Sequence, residues 1–267
     1  MAGVRIAHEV TGEGPALLLI HGLGYPRWGW EPIVAPLARS FRVIAFDNRG
    51  IGDSDVPPGP YDTATMAADA VSVLDAVGVE RAHVVGASLG GMIAQRVALE
   101  HPDRLDRLVL ACTTPGGPTA LPLPAATVAL IREATGLAPQ EAVRRFTANA
   151  LSQPPPGLVE ELTVRRLARP QPPEAWLAQS AASLGHDVFD RLGEIAAPTL
   201  VLHGTADRVV DPRNAALLAE RIPAARLELL DDLGHLFFWE DPARTVTLLE
   251  EFLSLEGGTD APAAGAA

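Results

Sequence analysis

The segment GASLGG, residues 86–91, places a serine among glycines directly after an apolar run that ends at Val85. The next stretch, MIAQRVALEHP, has the composition of a helix. A sharp turn from a strand into a helix strains its central residue, and small neighbours keep such a turn free of clashes. The pattern predicts that the turn presents the Ser88 hydroxyl as a nucleophile, near the amides of the helix N-terminus. The alternative is a turn of small residues without a catalytic role.

A serine hydroxyl is a weak nucleophile at its own pKa, so this hypothesis requires a base and a group that orients the base. Three of the seven histidines, His21, His203 and His235, follow predicted strands at their carboxyl ends. His235 in DDLGHLFFWEDP lies on a glycine-containing loop that can reach back over the sheet. We therefore predict His235 as the general base. His21 precedes a glycine turn, and His203 lies partly within a strand.

The orienting acid is predicted to be Asp207. It follows the run TLVLHG by three residues, so its carboxylate can meet a ring that arrives from the adjacent strand. Asp211, Asp231 and Asp232 are the alternatives, and we expect them to be cap or surface residues.

The strands and helices that position Ser88, Asp207 and His235 are predicted from short apolar runs that alternate with helical patterns. Such alternation predicts an α/β fold with a mostly parallel central sheet flanked by helices. The opening segment VRIAHEVTGEG alternates polar and apolar residues, as an antiparallel edge strand does. The other predicted strands are 16–22, 42–47, 82–88, 107–113, 199–204 and 226–232.

The region 115–195 interrupts this alternation because it contains helical patterns and no strand-like run. We predict a helical cap, inserted after the sixth strand, over the sheet edge where ligands bind in open α/β folds. The core is then 1–114 with 196–256, and the tail 257–267 is predicted to be disordered. The predicted cap helices are 125–135, 139–151, 157–168 and 173–184.

Composition limits the class of protein. The 267 residues are 48% hydrophobic, enough for one large domain with an insertion. A formal charge of −12 argues against nucleic acid or anionic membrane surfaces as partners. The single Cys112 lies in an apolar run and is expected to be core. The sequence leads us to expect neither a signal peptide nor a membrane span. We expect a cytoplasmic monomer or homodimer.

Five motifs together resemble the α/β-hydrolase superfamily over roughly residues 1–256. The order Ser88, Asp207, His235 is the order of the catalytic residues in that fold. The resemblance implies an oxyanion hole made by the amides of Leu23 and Leu89, and no metal or organic cofactor. The motifs are HGLG (21–24), DNRGIGDSD (47–55), GASLGG (86–91), HGTADRVVD (203–211) and GHLFFWEDP (234–242).

Within that superfamily the chain looks most like small esterases and lactonases, including the 3-oxoadipate enol-lactonases. The resemblance to that branch is carried by the HGLG and WGWEP segments near the N-terminus and the compact helical cap. Ser88 disfavours haloalkane dehalogenases and epoxide hydrolases, which use aspartate at this position. The expected activity is hydrolysis of a small ester or lactone through an acyl-enzyme. Carbon–carbon bond hydrolysis, perhydrolysis, a lyase reaction and a ligand receptor with little turnover are the alternatives.

Tryptophans near the predicted loops suggest an apolar or aromatic substrate pocket formed by Trp28, Trp30, Trp176 and Trp239. Arginines of the insertion could instead recognise a substrate carboxylate. A solvated helix face is the simpler interpretation for these arginines, which are Arg144, Arg145, Arg165, Arg166 and Arg169.

Overall fold

The computed structural model of the chain describes residues 3–254. Its strands are β1 (His8–Thr11), β2 (Ala16–Ile20), β3 (Arg42–Phe46), β4 (Ala82–Ala87), β5 (Leu105–Ala111), β6 (Thr199–Gly204) and β7 (Ala225–Leu230). They form one sheet in the order β1-β3-β2-β4-β5-β6-β7. β1 pairs antiparallel with β3, and all other neighbours are parallel. The mostly parallel sheet and its antiparallel edge strand are confirmed.

The central strands are buried on both faces, which explains their continuous apolarity. In β2, Leu18 and Ile20 belong to the core on one side of the sheet, and Leu17 and Leu19 belong to the core on the other. Every residue of β6 is buried, whereas every residue of the edge strand β1 is exposed. Helices must therefore cover both faces of the sheet.

Ten α-helices are described between residues 3 and 254. Gly78 follows the helix Thr63–Ala76 with φ +69°, and its N–H donates to the Asp75 carbonyl at 3.1 Å, which closes the end of that helix. Among these residues, no helix combines the length and apolarity that a bilayer span requires. The helices are α1 (Glu31–Leu37), α2 (Thr63–Ala76), α3 (Leu89–Glu100), α4 (Ala125–Ala134), α5 (Pro139–Asn149), α6 (Leu158–Ala168), α7 (Pro173–Leu184), α8 (Arg213–Arg221), α9 (Phe237–Glu240) and α10 (Pro242–Leu253).

Helices α4–α7 lie between β5 and β6 and differ from the four predicted helices by at most two residues at each end. Their position after the sixth strand was wrong, because they follow the fifth strand of the described chain. The predicted strands before residue 115 already number five, counting the opening edge strand with 16–22, 42–47, 82–88 and 107–113, so the count of six did not follow from them. The predicted disordered tail, 257–267, lies outside the described residues.

The last two inserted helices contact loops that follow the carboxyl ends of the strands. On α7, the Gln179 amide donates to the Arg49 carbonyl at 2.7 Å, in the loop after β3. On α6, Arg166 lies against Gly24, in the loop after β2, where a Cβ would be 3.0 Å from its guanidinium. The insertion therefore meets the core at the edge where the candidate catalytic residues lie.

Candidate active site

Ser88 occupies a strained turn between β4 and α3, with φ 57° and ψ −121°. The adjacent glycines are sterically required. A Cβ at Gly86 would lie 2.3 Å from the Gly90 carbonyl oxygen, and one at Gly90 would lie 1.9 Å from the Ile20 carbonyl oxygen. The packing of neighbouring backbone thus explains the GASLGG pattern.

The end of β5 holds the Ser88 backbone from both sides. The Ser88 N–H donates to the Ala111 carbonyl at 2.9 Å, and the Thr113 hydroxyl donates to the Ser88 carbonyl at 2.7 Å. Gly91 leaves room for this hydroxyl, since a Cβ there would lie 2.6 Å from Thr113 Cβ. The side chain of Ser88 is half-buried. Thr113 is a support that the sequence analysis missed, and its place at the end of the strand beside β4 was the available signal.

Asp207 and His235 form a direct hydrogen bond, with Nδ1 of the ring 2.7 Å from Oδ2 of the carboxylate. Both side chains are almost fully buried. The other oxygen, Oδ1, accepts the N–H groups of Val209 at 2.7 Å and Val210 at 3.0 Å. A carboxylate only accepts, so the ring must donate from Nδ1, and in the neutral ring Nε2 is then the nitrogen that acts as a base.

A second histidine shares the same carboxylate oxygen. Nε2 of the buried His203 lies 3.0 Å from Asp207 Oδ2. The sequence analysis considered His203 only as a base and missed its contact with the acid. The spacing HGTAD was the available signal, because the side chains of His203 and Asp207, four residues apart across a tight turn, can come within hydrogen-bond distance.

The surroundings of Asp207 and His235 favour the charged form of each side chain, the carboxylate and the imidazolium. Burial opposes the charge on Asp207, yet His235 and His203 hold the pKa of this carboxyl well below its usual range. Burial also opposes the charge on His235, but Asp207 and the Cys112 thiol together raise the pKa of the ring well above 6.5. The arrangement therefore stabilises the imidazolium that a general base becomes.

Ser88 and His235 are brought to the same region but are not hydrogen-bonded to each other within residues 3–254. Cys112, the residue after Ala111 of β5, interacts with the His235 ring and is buried. Cys112 is thus in the core, as expected, but also beside the predicted base. Catalytic hydrogen bonds are often long before substrate binds, so this geometry is compatible with proton transfer.

The loop after β2 lies directly against Ser88. A Cβ at Gly22 would be 2.9 Å from Ser88 Cβ and 3.4 Å from its Oγ. This places the loop that carries Leu23 beside the nucleophile, and Leu89 opens α3, where the first backbone N–H groups have no partner within a helix. The placement suits two amides that converge on a developing oxyanion.

His21 supports this loop as a neutral residue. Burial, aided by the charge of His235, lowers the pKa of His21 to about 3. Its Nδ1 accepts the Gly22 N–H at 2.7 Å, and its carbonyl accepts the Asn48 side-chain amide at 2.9 Å. The motif histidine therefore shapes the loop rather than serving as a base.

The four predicted pocket tryptophans have different environments. Trp30 is 1% exposed and packs against His21, so it belongs to the core. Trp239 is also buried, and its indole N–H donates to the Gly29 carbonyl at 2.7 Å. Trp176 is 40% exposed on α7, whose buried face is formed by other residues. Trp28 is half-buried beside Trp239. These positions argue against pocket roles for Trp30 and Trp176.

Arg166 differs from the other inserted arginines of the predicted set. Its guanidinium lies 4.8 Å from the Tyr25 ring centre and 3.2 Å from the Thr147 hydroxyl, and within residues 3–254 no carboxylate pairs with it. The others pair with glutamate or aspartate: Arg144 with Glu160, Arg145 with Glu133, Arg165 with Glu31, and Arg169 with Asp53. Arg166 is therefore the arginine of this set that could bind a carboxylate of another molecule, and it lies beside the loop after β2.

Two motif residues hold the loop after β3. Asp47 is fully buried and accepts the backbone N–H groups of Arg27 at 2.7 Å and Asp53 at 2.8 Å. Arg49 donates twice to Asp69, at 2.5 and 2.7 Å. A cleft of about 610 Å³ lies nearby, lined in part by Arg27 and Asp53, but its lining does not include the candidate catalytic residues.

Comparison with known proteins agrees with the fold. Residues 15–242 match the family model described as alpha/beta hydrolase fold. The chain therefore belongs to the α/β-hydrolase family.

Several relatives are hydrolases of different substrates. The chain is 33% identical to a 2-hydroxy-6-oxo-6-phenylhexa-2,4-dienoate hydrolase of Comamonas testosteroni, covering 93% of this chain and 91% of the relative. A structure of an N-acyl homoserine lactone degrading enzyme is 32% identical, with TM-score 0.81 and coverage of 94% and 97%. The enol-lactonase of Burkholderia xenovorans is 25% identical, with TM-score 0.80 and coverage of 94% and 96%. The resemblance to lactonase-like hydrolases is confirmed.

Proposed function

We propose that the protein is a serine hydrolase that cleaves a small carboxylic ester or lactone through an acyl-enzyme. The observation that carries the proposal is the buried Asp207–His235 hydrogen bond beside the strained turn of Ser88. Acyl transfer requires a presented serine and an imidazole oriented by a carboxylate, and the Cys112 thiol that contacts the His235 ring follows Ala111, whose carbonyl accepts the Ser88 N–H.

The reaction proceeds in two halves. His235 removes the proton of Ser88 as the hydroxyl attacks the carbonyl, and it then protonates the leaving alkoxide. The Leu23 and Leu89 amides stabilise the oxyanion, and one such donor is typically worth about 3 kcal/mol. Water activated by the same ring releases the acid. In this proposal helices α4–α7 form the cap that encloses the substrate.

The position of Arg166 favours substrates that bear a carboxylate. A partly buried guanidinium without a carboxylate partner can bind such a group through two parallel hydrogen bonds. The dienoate hydrolysed by the Comamonas relative is a carboxylate without an ester bond, so its hydrolysis must break a carbon–carbon bond. Carbon–carbon bond hydrolysis is therefore the second candidate function.

A substrate panel tests the proposal. The purified protein should hydrolyse p-nitrophenyl butyrate, γ-lactones or the p-nitrophenyl half-ester of glutaric acid, and a fluorophosphonate should label Ser88. Faster turnover of the half-ester than of the neutral butyrate would support the role of Arg166. Release of acid from a 2-hydroxy-6-oxo-dienoate, with no ester or lactone turned over, would favour the second candidate. A protein that fluorophosphonate does not label and that hydrolyses none of these compounds would contradict both.

The pH dependence of kcat/KM should follow the raised pKa of His235. The base acts only when neutral, so activity should rise with pH and reach half of its maximum above pH 6.5. Below that midpoint the rate should fall about tenfold per pH unit. Initial rates with p-nitrophenyl butyrate, corrected for spontaneous hydrolysis, measure the profile. A midpoint below pH 6.5 would contradict the stabilised imidazolium.

A further inference from the structure

Glu240, the last residue of α9, binds backbone N–H groups from two separate parts of the chain. Its Oε2 accepts the Gly234 N–H at 2.6 Å, and its Oε1 accepts the Ser152 N–H at 2.6 Å and also the Gln153 N–H. Gly234 immediately precedes His235, whereas Ser152 and Gln153 follow α5 in the insertion. One carboxylate therefore joins the loop of the predicted base to the inserted segment.

The same two segments also meet directly. The Leu236 N–H donates to the Ala150 carbonyl at 3.0 Å. A Cβ at Gly234 would lie 2.8 Å from the Ser152 nitrogen and 2.9 Å from the Ala150 carbonyl oxygen, so the approach requires glycine. The residues on both sides of His235 are thus attached to segment 150–153.

The loop of the predicted acid reaches the same part of the insertion. Arg208, which follows Asp207, donates to the Leu151 carbonyl at 2.5 Å and to the Ala148 carbonyl at 3.1 Å. The Arg208 carbonyl in turn accepts the Thr127 hydroxyl of α4. The insertion therefore contacts the loops of both members of the buried pair.

We infer that Glu240 is a positioning residue for His235, and that through it segment 150–153 of the insertion sets the place of the base. This inference rests on the proposed function. Three N–H donors converge on one ionised acceptor, and hydrogen bonds to an ionised acceptor are about twice as strong as neutral ones. Loosening this junction would let His235 move relative to Asp207 and Ser88.

The test is Glu240→Gln in the full-length protein. The side-chain shape is retained, but one oxygen becomes an NH₂ group that must face backbone N–H donors. We expect kcat for p-nitrophenyl butyrate to fall about 10- to 100-fold with a smaller change in KM, since a small misplacement of a catalytic group costs up to about 100-fold. The acid limb of the pH profile should move to lower pH, because a ring less well held by Asp207 has a less stable imidazolium.

The matched control is Glu251→Gln, which changes an exposed carboxylate on α10. It should leave kcat and the pH profile at wild-type values. Wild-type values in Glu240→Gln as well would overturn the inference. If Glu240→Gln does not fold, Glu240→Asp keeps the charge but shortens the reach. It should show the same changes at smaller size, and unchanged kinetics there would equally overturn the inference.

Amide hydrogen exchange supplies a readout that does not depend on turnover. In Glu240→Gln, peptides covering 150–153 and 232–236 should exchange faster together, while the control matches wild type. Faster exchange with unchanged kcat and pH profile would assign Glu240 a structural role alone and overturn the inference. Full activity in Ser88→Ala would instead remove the proposed function, whatever the exchange result.

Discussion

Replacing Ser88 by alanine should lower kcat for p-nitrophenyl butyrate on the order of 10⁴-fold or more. The substitution removes only the hydroxyl, and alanine fits the turn because the backbone bonds to Ala111 and Thr113 do not use that oxygen. The nucleophile would be lost while the turn, the amides of the loop after β2 and the buried Asp207–His235 pair remain. The loss should therefore appear in kcat far more than in substrate binding.

Steady-state kinetics with the purified variant measures this effect, and fluorophosphonate labelling should disappear in parallel. Ser72→Ala is the matched control, because its hydroxyl bonds the Asp69 carbonyl on α2, outside the candidate site. It should retain wild-type turnover and labelling. Turnover by Ser88→Ala within tenfold of wild type would show that another group attacks the substrate.

Asp207→Asn should lower kcat on the order of 10⁴-fold, as in triads where the wrong tautomer of the base is imposed. Both oxygens of Asp207 accept two N–H groups each, so no side of the carboxylate tolerates a donor. An amide NH₂ on the Oδ2 side would face His235 and favour the tautomer with its proton on Nε2. That tautomer cannot take the proton of Ser88.

The opposite orientation of the asparagine is no better, because its NH₂ would then face the N–H groups of Val209 and Val210. Asp211→Asn is the matched control, since Asp211 lies in the same loop but pairs with Arg213 at 2.6 Å. Its kcat should stay near wild type. A small effect of Asp207→Asn combined with a large effect of Asp211→Asn would reassign the acid.

The sheet was predictable because strands that are buried on both faces appear in the sequence as continuous apolar runs. A central strand such as Ala16–Ile20 is apolar throughout, whereas the two edge strands, His8–Thr11 and Ala225–Leu230, carry charged residues and are mostly unburied. The extent of the edge strand was not predictable in the same way. Of the opening segment only His8–Thr11 pairs with β3, and short polar edge strands carry little periodicity.

The candidate site was predictable where chemistry restricts residue type. A nucleophile, base and acid must follow parallel strands at one edge, so Ser88, Asp207 and His235 could be chosen by position. The spacing HGTAD carried a signal for the His203 contact, but the contacts of Cys112 and Glu240 depend on how loops distant in sequence approach one another. A strand-by-strand reading contains no signal for such approaches.

The fit of Thr113 into the space beside Gly91 links two positions far apart in the chain. The Thr113 side chain occupies the space that a side chain at position 91 would need. A larger residue at position 91 is incompatible with threonine at position 113. Substitutions at these two positions should therefore covary among homologous sequences. A shape constraint of this kind restricts evolution next to the nucleophile through packing alone.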